Sequence, residues 1–188
     1  MISRFDMTAD VRREDAMYHD YPIEQVARST NTRFQMGFAR MTMHLLPEFD
    51  DIVLEPSLDG LKILAAHETA LSRPGELIRR MYADSVEFEE PQVRLLYGES
   101  VQEPVMWVRA SIDREHAEHV IQDLITRGGE IEQVDWMALP LLVLARAPLR
   151  ELLGYPRALG ALTQGRGEVR MWLSHYAPVP PPEPGKAA

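Results

Sequence analysis

Apolar and polar positions repeat in the same order twice along the chain. In the first pass, Tyr21 to Val26 has the alternation of a short strand. Phe34, Phe38, Met41 and Leu45 then recur at helical spacing, with Ser29, Thr30 and Asn31 ahead of them as good N-caps. The alternation Phe34, Met36, Phe38 would also suit a strand, but the longer periodic match favours a helix. Leu46-Pro47 closes it, since proline cannot continue a helix. Ile52-Val53-Leu54 and Leu61 to Leu64 flank Ser57-Leu58-Asp59-Gly60, and Asp-Gly between apolar runs predicts a hairpin. Pro74-Gly75-Glu76 opens a second helix through Leu77, Ile78 and Met81, with proline tolerated in the first turn. Val86-Glu87-Phe88 and Val93 to Tyr97 supply the last strand.

The second pass begins after a short join, Gly98 to Pro104. Val105 to Ile112 is a strand, and Asp113 is placed to cap a helix whose apolar face is Ala117, Val120, Ile121 and Leu124. Gly128-Gly129 stops that helix, and two strands follow, Ile131 to Trp136 and Leu141 to Ala147. Leu149, Leu152, Leu153, Leu159 and Leu162 mark a second helix, interrupted at Gly154-Tyr155-Pro156. The loop Thr163-Gln164-Gly165-Arg166-Gly167 and the strand Val169 to Leu173, running on to Ser174-His175-Tyr176, close the unit. The fold predicted is α+β, with two tandem ferredoxin-like (βαββαβ) sandwiches over residues 18–98 and 99–179. Residues 1–17 form a charged N-terminal arm, and 180–188 a Pro-rich tail expected to be disordered.

Composition narrows the function classes. No apolar run approaches the ~18 residues of a membrane span, and Met1 to Asp6 lacks an apolar signal region, so a cytoplasmic protein is expected. The absence of cysteine removes disulfides, thiolate metal sites and a Cys nucleophile. A net charge of −9, from 20 basic and 29 acidic residues, argues against free nucleic-acid binding unless cations cluster on one face. No Gly-x-x-x-x-Gly-Lys-Ser/Thr phosphate loop occurs, and no nucleophile–base pair can be read, so neither an enzyme nor a cofactor is expected. His116-x-x-His119 is an incomplete zinc set. A solvated helix face is the better reading there, and no metal is expected.

Several short motifs stand in register: Glu103-Pro104-Val105-Met106, Gly128-Gly129-Glu130-Ile131-Glu132, Pro148-Leu149, Gly154-Tyr155, Thr163 to Gly167 and His175-Tyr176. Together they resemble domain V of elongation factor G over residues 103–179. In the first half, the Asp59-Gly60 hairpin, Glu68 and Pro91-Gln92-Val93 are similar to domain III of the same GTPases. The family's Gly-Glu-Leu is here His67-Glu68-Thr69, so only the glutamate matches. The resemblance implies a module in which III joins V directly. It also implies a non-enzymatic role: binding the ribosome, through rRNA or a ribosomal protein, or modulating a translational GTPase. The alternative is a regulatory or scaffolding homo-oligomer unconnected to the ribosome.

Two groups of residues are candidates for contact. In the glycine loop, Gln164, Gly165, Arg166 and Gly167 would carry it. Equally, the two glycines would merely make a sharp turn and leave Arg166 solvated. On the second sheet, strand parity sends Met106, Val108 and Ala110 toward the helices and Trp107 and Arg109 to the other face. Leu142, Leu144, Arg146, Arg170 and Trp172 share that outer face, giving an apolar patch ringed by arginines. A patch of this kind marks an interface. Its cover would be the N-terminal unit or a second copy of the chain, a protein partner, or RNA bases stacked on the tryptophans.

Overall fold

The computed structural model describes residues 18–180. The arm, 1–17, and residues 181–188 of the tail lie outside the described residues. Ten strands are present among the described residues: β1 (Ile23–Ser29), β2 (Ile52–Pro56), β3 (Leu61–Ala65), β4 (Val86–Phe88), β5 (Gln92–Val93), β6 (Leu96–Tyr97), β7 (Val101–Ile112), β8 (Glu130–Asp135), β9 (Leu141–Pro148) and β10 (Glu168–Pro178). The helices are α1 (Gln35–Leu45), α2 (Ser72–Tyr82), α3 (Ala117–Thr126), α4 (Leu149–Leu152) and α5 (Tyr155–Leu162). The first sheet runs β2-β3-β1-β4 and the second β10-β7-β9-β8, every pairing antiparallel. Each unit thus places its first strand between its third and its last. This is the order of the α+β ferredoxin-like sandwich predicted from the double repeat.

The cores follow from the alternation. Met106, Val108, Ala110 and Ile112 on β7 are fully buried, as are Val143 and Ala145 on β9, and they meet Val120 and Leu124 of α3 and Leu152 of α4. Ile23, Leu61 and Ile63 do the same in the first unit, against Phe38 and Ile78. Each such aliphatic side chain contributes about 1.5–3 kcal/mol of burial.

Three expectations are corrected. First, α1 starts at Gln35, its N-cap is Phe34, and no side chain caps it. Its buried residues are Phe38, Ala39 and Thr42, whereas Phe34, Met41 and Leu45 are exposed. The Gln35 side chain explains the rotation: its oxygen accepts from the Ser29 N–H at 2.9 Å, and its amide donates to the Ser29 carbonyl at 2.8 Å. The end of β1 thereby fixes which way α1 faces. Second, Asp113 makes no cap bond and pairs instead with Arg166, described below. Third, Val93 to Tyr97 does not form one strand. β5 pairs with β1, and β6 pairs with β7 of the other sheet. Arg94 anchors the crossing, its guanidinium donating to the carbonyls of Tyr18 (2.9 Å) and Tyr21 (3.0 Å).

Further contacts join the units. The backbone N–H of Gly154, just ahead of α5, donates to a Glu68 carboxylate oxygen at 2.7 Å. The Tyr176 hydroxyl donates to the His19 carbonyl at 3.1 Å, with the two rings 4.7 Å apart.

Candidate functional site

The glycine loop is built from the end of α5. Thr163 is fully buried; its hydroxyl donates to the Leu159 carbonyl at 2.7 Å and accepts from the Gly167 N–H at 2.8 Å. Gln164 and Gly165 take left-handed backbone (φ 54° and 80°), and the Gly165 N–H returns to the Gly160 carbonyl at 2.7 Å. A Cβ on Gly167 would come within 2.7 Å of the Thr163 hydroxyl, so that position needs glycine for close approach. Both glycines therefore have a local structural reason. Gln164 is exposed at the tip.

Arg166 is not simply solvated. Its guanidinium lies 3.1 Å from Asp113 and 2.6 Å from Glu115, and 3.1 Å from His116 Nε2. These are partly exposed pairs, worth up to about 1 kcal/mol each. They nevertheless match the cation with two carboxylates from the start of the unit's first helix. The expectation of a solvated His116-x-x-His119 face holds for His119 and fails for His116, which is buried at 8% exposure beneath this cluster. Asp113, Glu115 and His116 bring their donor atoms within 4.8 Å of one another, and the Arg166 guanidinium is the cation among them.

On the second sheet, register sorts the outer face into rows. Trp172 lies opposite Trp107, which lies opposite Arg146. Arg170 lies opposite Arg109, which lies opposite Leu144; Glu168, Ser111 and Leu142 make the third row. The two indoles stack with centroids 6.4 Å apart, and the Arg146 guanidinium sits 5.3 Å from the Trp107 ring. Arg146 is also paired with Glu132 and Glu130 across β8. The side chains of Arg109 and Arg170, by contrast, have no hydrogen bond or ion pair among the described residues. Of the four arginines considered at sequence level, two are matched by carboxylates and two are not. Sequence reasoning placed the tryptophans and arginines on one face, but it did not anticipate that Arg109 and Arg170 face each other. Pairing the two strands residue by residue would have found it.

Among the described residues, the first unit meets this face at the β10 edge, where His67 and Thr69 stand across a cleft from Arg170 and Trp172. Trp172 stays 43% exposed.

Comparison with known proteins falls on this same region. The family model described as the elongation factor G C-terminus matches residues 100–186. Elongation factor G of Granulibacter bethesdensis is 36% identical over 83 residues, which is 44% of this chain and 12% of that protein. A crystal structure of a protein from Thermus thermophilus superposes with a TM-score of 0.60 over 85% of this chain and 41% of that one. At 18% identity, that likeness speaks to fold alone. No helix among the described residues is long and apolar enough to cross a membrane. The matched span takes in β7 to β10, the glycine loop and the tryptophan face, so it is residues 100–186 of this chain that are similar to the elongation factor G C-terminus.

Proposed function

We propose that this chain is a non-enzymatic, cytoplasmic elongation factor G-like module that docks on the ribosome, on rRNA or a ribosomal protein, or competes there with a translational GTPase. The observation that carries the reading is the family match over residues 100–186, which includes the whole Thr163–Gly167 loop. That loop presents the exposed Gln164 side chain on a turn held by Thr163, so it offers a shaped contact. Because Arg166 is matched by Asp113 and Glu115, the loop would dock by fit and hydrogen bonding more than by net charge.

The test is co-sedimentation of the purified chain with ribosomes through a sucrose cushion, at low and near-physiological salt. Arg166→Ala and Gln164→Ala probe the loop, and Trp172→Ala probes the sheet face. Pelleting that survives the higher salt and weakens in the loop variants is the expected result. Protein that stays wholly in the supernatant would sink the reading. A self-associating scaffold is the second reading, favoured by the uncovered indoles. Against it, two-fold pairing of the face would bring the Arg109 and Arg170 of two copies together.

A further inference from the structure

We propose that the cleft along the outer edge of β10 binds a small anion bearing a flat ring, of the chemical class of nucleoside monophosphates. The first observation is a cost without a visible return. Arg109 and Arg170 stand directly opposite on neighbouring antiparallel strands, and neither side chain forms an ion pair among the described residues, although Glu168 lines the same hollow. Like charges so placed destabilise a sheet. Such a pair is stabilising when a shared anion sits between the guanidiniums, each of which can fork onto phosphate oxygens.

The second observation is what lies beside them. Arg170 lines two adjoining hollows. One, with Arg109, Ser111 and Glu168, is the anion end. The other, about 360 Å³, is walled by Trp172 and Pro156 on the second unit and by His67 and Thr69 on the first. That volume is in the range of small-molecule sites, which favour junctions between units. Trp172, 43% exposed, offers an indole face for stacking.

The opposite wall is already rigid. His67 Nδ1 accepts from the Ala70 N–H at 3.2 Å and from the Thr69 hydroxyl at 2.9 Å, which leaves Nε2–H to donate to Asp51 at 3.3 Å. The Thr69 oxygen keeps acceptor capacity toward the cleft. At the anion end, Glu168 lies in the row beyond the arginines, and the two arginines outweigh its charge. The site is thus locally cationic on a chain of net charge −9. The wall contributed by the first unit limits the length of what fits, which favours a single nucleotide over a polymer.

The experiment is calorimetric titration of the full chain, with tryptophan emission followed in parallel. The probes are AMP, adenosine, inorganic phosphate and a short oligoadenylate. AMP should bind saturably and quench emission, inorganic phosphate should compete, and adenosine should bind at least about tenfold more weakly because it lacks the charge. Arg109→Ala, Arg170→Ala and Trp172→Ala should each weaken AMP by about tenfold or more. Without ligand, Arg170→Ala should melt higher than the native chain, because it relieves the like-charge contact; a merely structural arginine would lower the melting temperature. The proposal is overturned if AMP does not saturate at millimolar concentration, or if the arginine variants bind it as well as the native chain does. Binding of oligoadenylate without AMP also overturns it, in favour of a polymer surface. No ribosome is present, so this result is independent of the docking reading.

Discussion

Tyr155 is fully buried, yet its hydroxyl finds no hydrogen-bond partner among the described residues. Its ring lies 5.2 Å from the Arg127 guanidinium, which is itself held by Asp123 at 2.8 Å. Burial first, and the Asp123 charge second, raise the phenol well above its ordinary value of 10.0, with Arg127 opposing. Tyr155→Phe keeps the ring and discards the unsatisfied group, so at neutral pH it should leave stability unchanged or raise it by about 1 kcal/mol. The pH dependence has a definite sign. Above pH 10 the unfolded chain ionises this tyrosine while the folded chain keeps it protonated, so the native protein loses stability as pH rises from there. The Phe variant lacks that part of the loss. Urea unfolding of both proteins at pH 7 and above pH 10 checks both statements. A variant less stable by more than about 1 kcal/mol at pH 7 would mean that the hydroxyl does have a partner.

Among elements, α1 shows what the residue pattern carries and what it omits. Phe34, Phe38, Met41 and Leu45 share one helical period, so the sequence marks the helix but ranks none of the four above the others. The structure does rank them: Phe38 is buried and meets Tyr82 edge-on at 5.1 Å, while Phe34 is 70% exposed. Phe38→Ala should therefore cost about 3–5 kcal/mol in chemical denaturation, and Met41→Gln or Leu45→Gln no more than about 0.5 kcal/mol. Equal losses at all three positions would restore the simple periodic face. What settled the matter was the Gln35–Ser29 contact, made between two elements and invisible to periodicity. The second sheet was easier to read. Its strands alternate with period two, so Trp107, Arg109, Leu142, Leu144, Arg146, Arg170 and Trp172 could be assigned to one face without knowing the register. Arg166 could not be resolved that way. Asp113, Glu115 and His116 sit some fifty positions earlier and reach it only once α3 and α5 pack together.

At the scale of the whole molecule, Glu68 ties the two units. Its carboxylate accepts the Gly154 N–H at the start of α5, where the helix dipole favours negative charge. Glu68→Gln keeps the size and loses the charge, so it should lower stability by about 1 kcal/mol. It should also pull the denaturation profiles of the two units apart, followed by Trp107 and Trp172 emission for the second and by far-ultraviolet circular dichroism for both. Superimposable profiles with unchanged midpoints would show that the other contacts between the units suffice.

The irregularity in β10 also bears on this junction. Leu173 pairs with Met106, but the next partner, Val105, is taken by His175, so Ser174 is an extra residue in the ladder. A strand assigns its faces by counting. The inserted residue resets the count, sending His175 to the outer face and Tyr176 to the inner one. Only with that reset does the Tyr176 hydroxyl meet His19. Excision of Ser174 would only remove the bulge, leaving His175 opposite Val105 and Tyr176 opposite Pro104 on the faces they already hold. Ser174 taken into the regular ladder would instead exchange the sides of everything after it, turning the tyrosine outward and away from His19. A link between two folded bodies is thus encoded here as an odd or even number, with no change needed in the residues that touch.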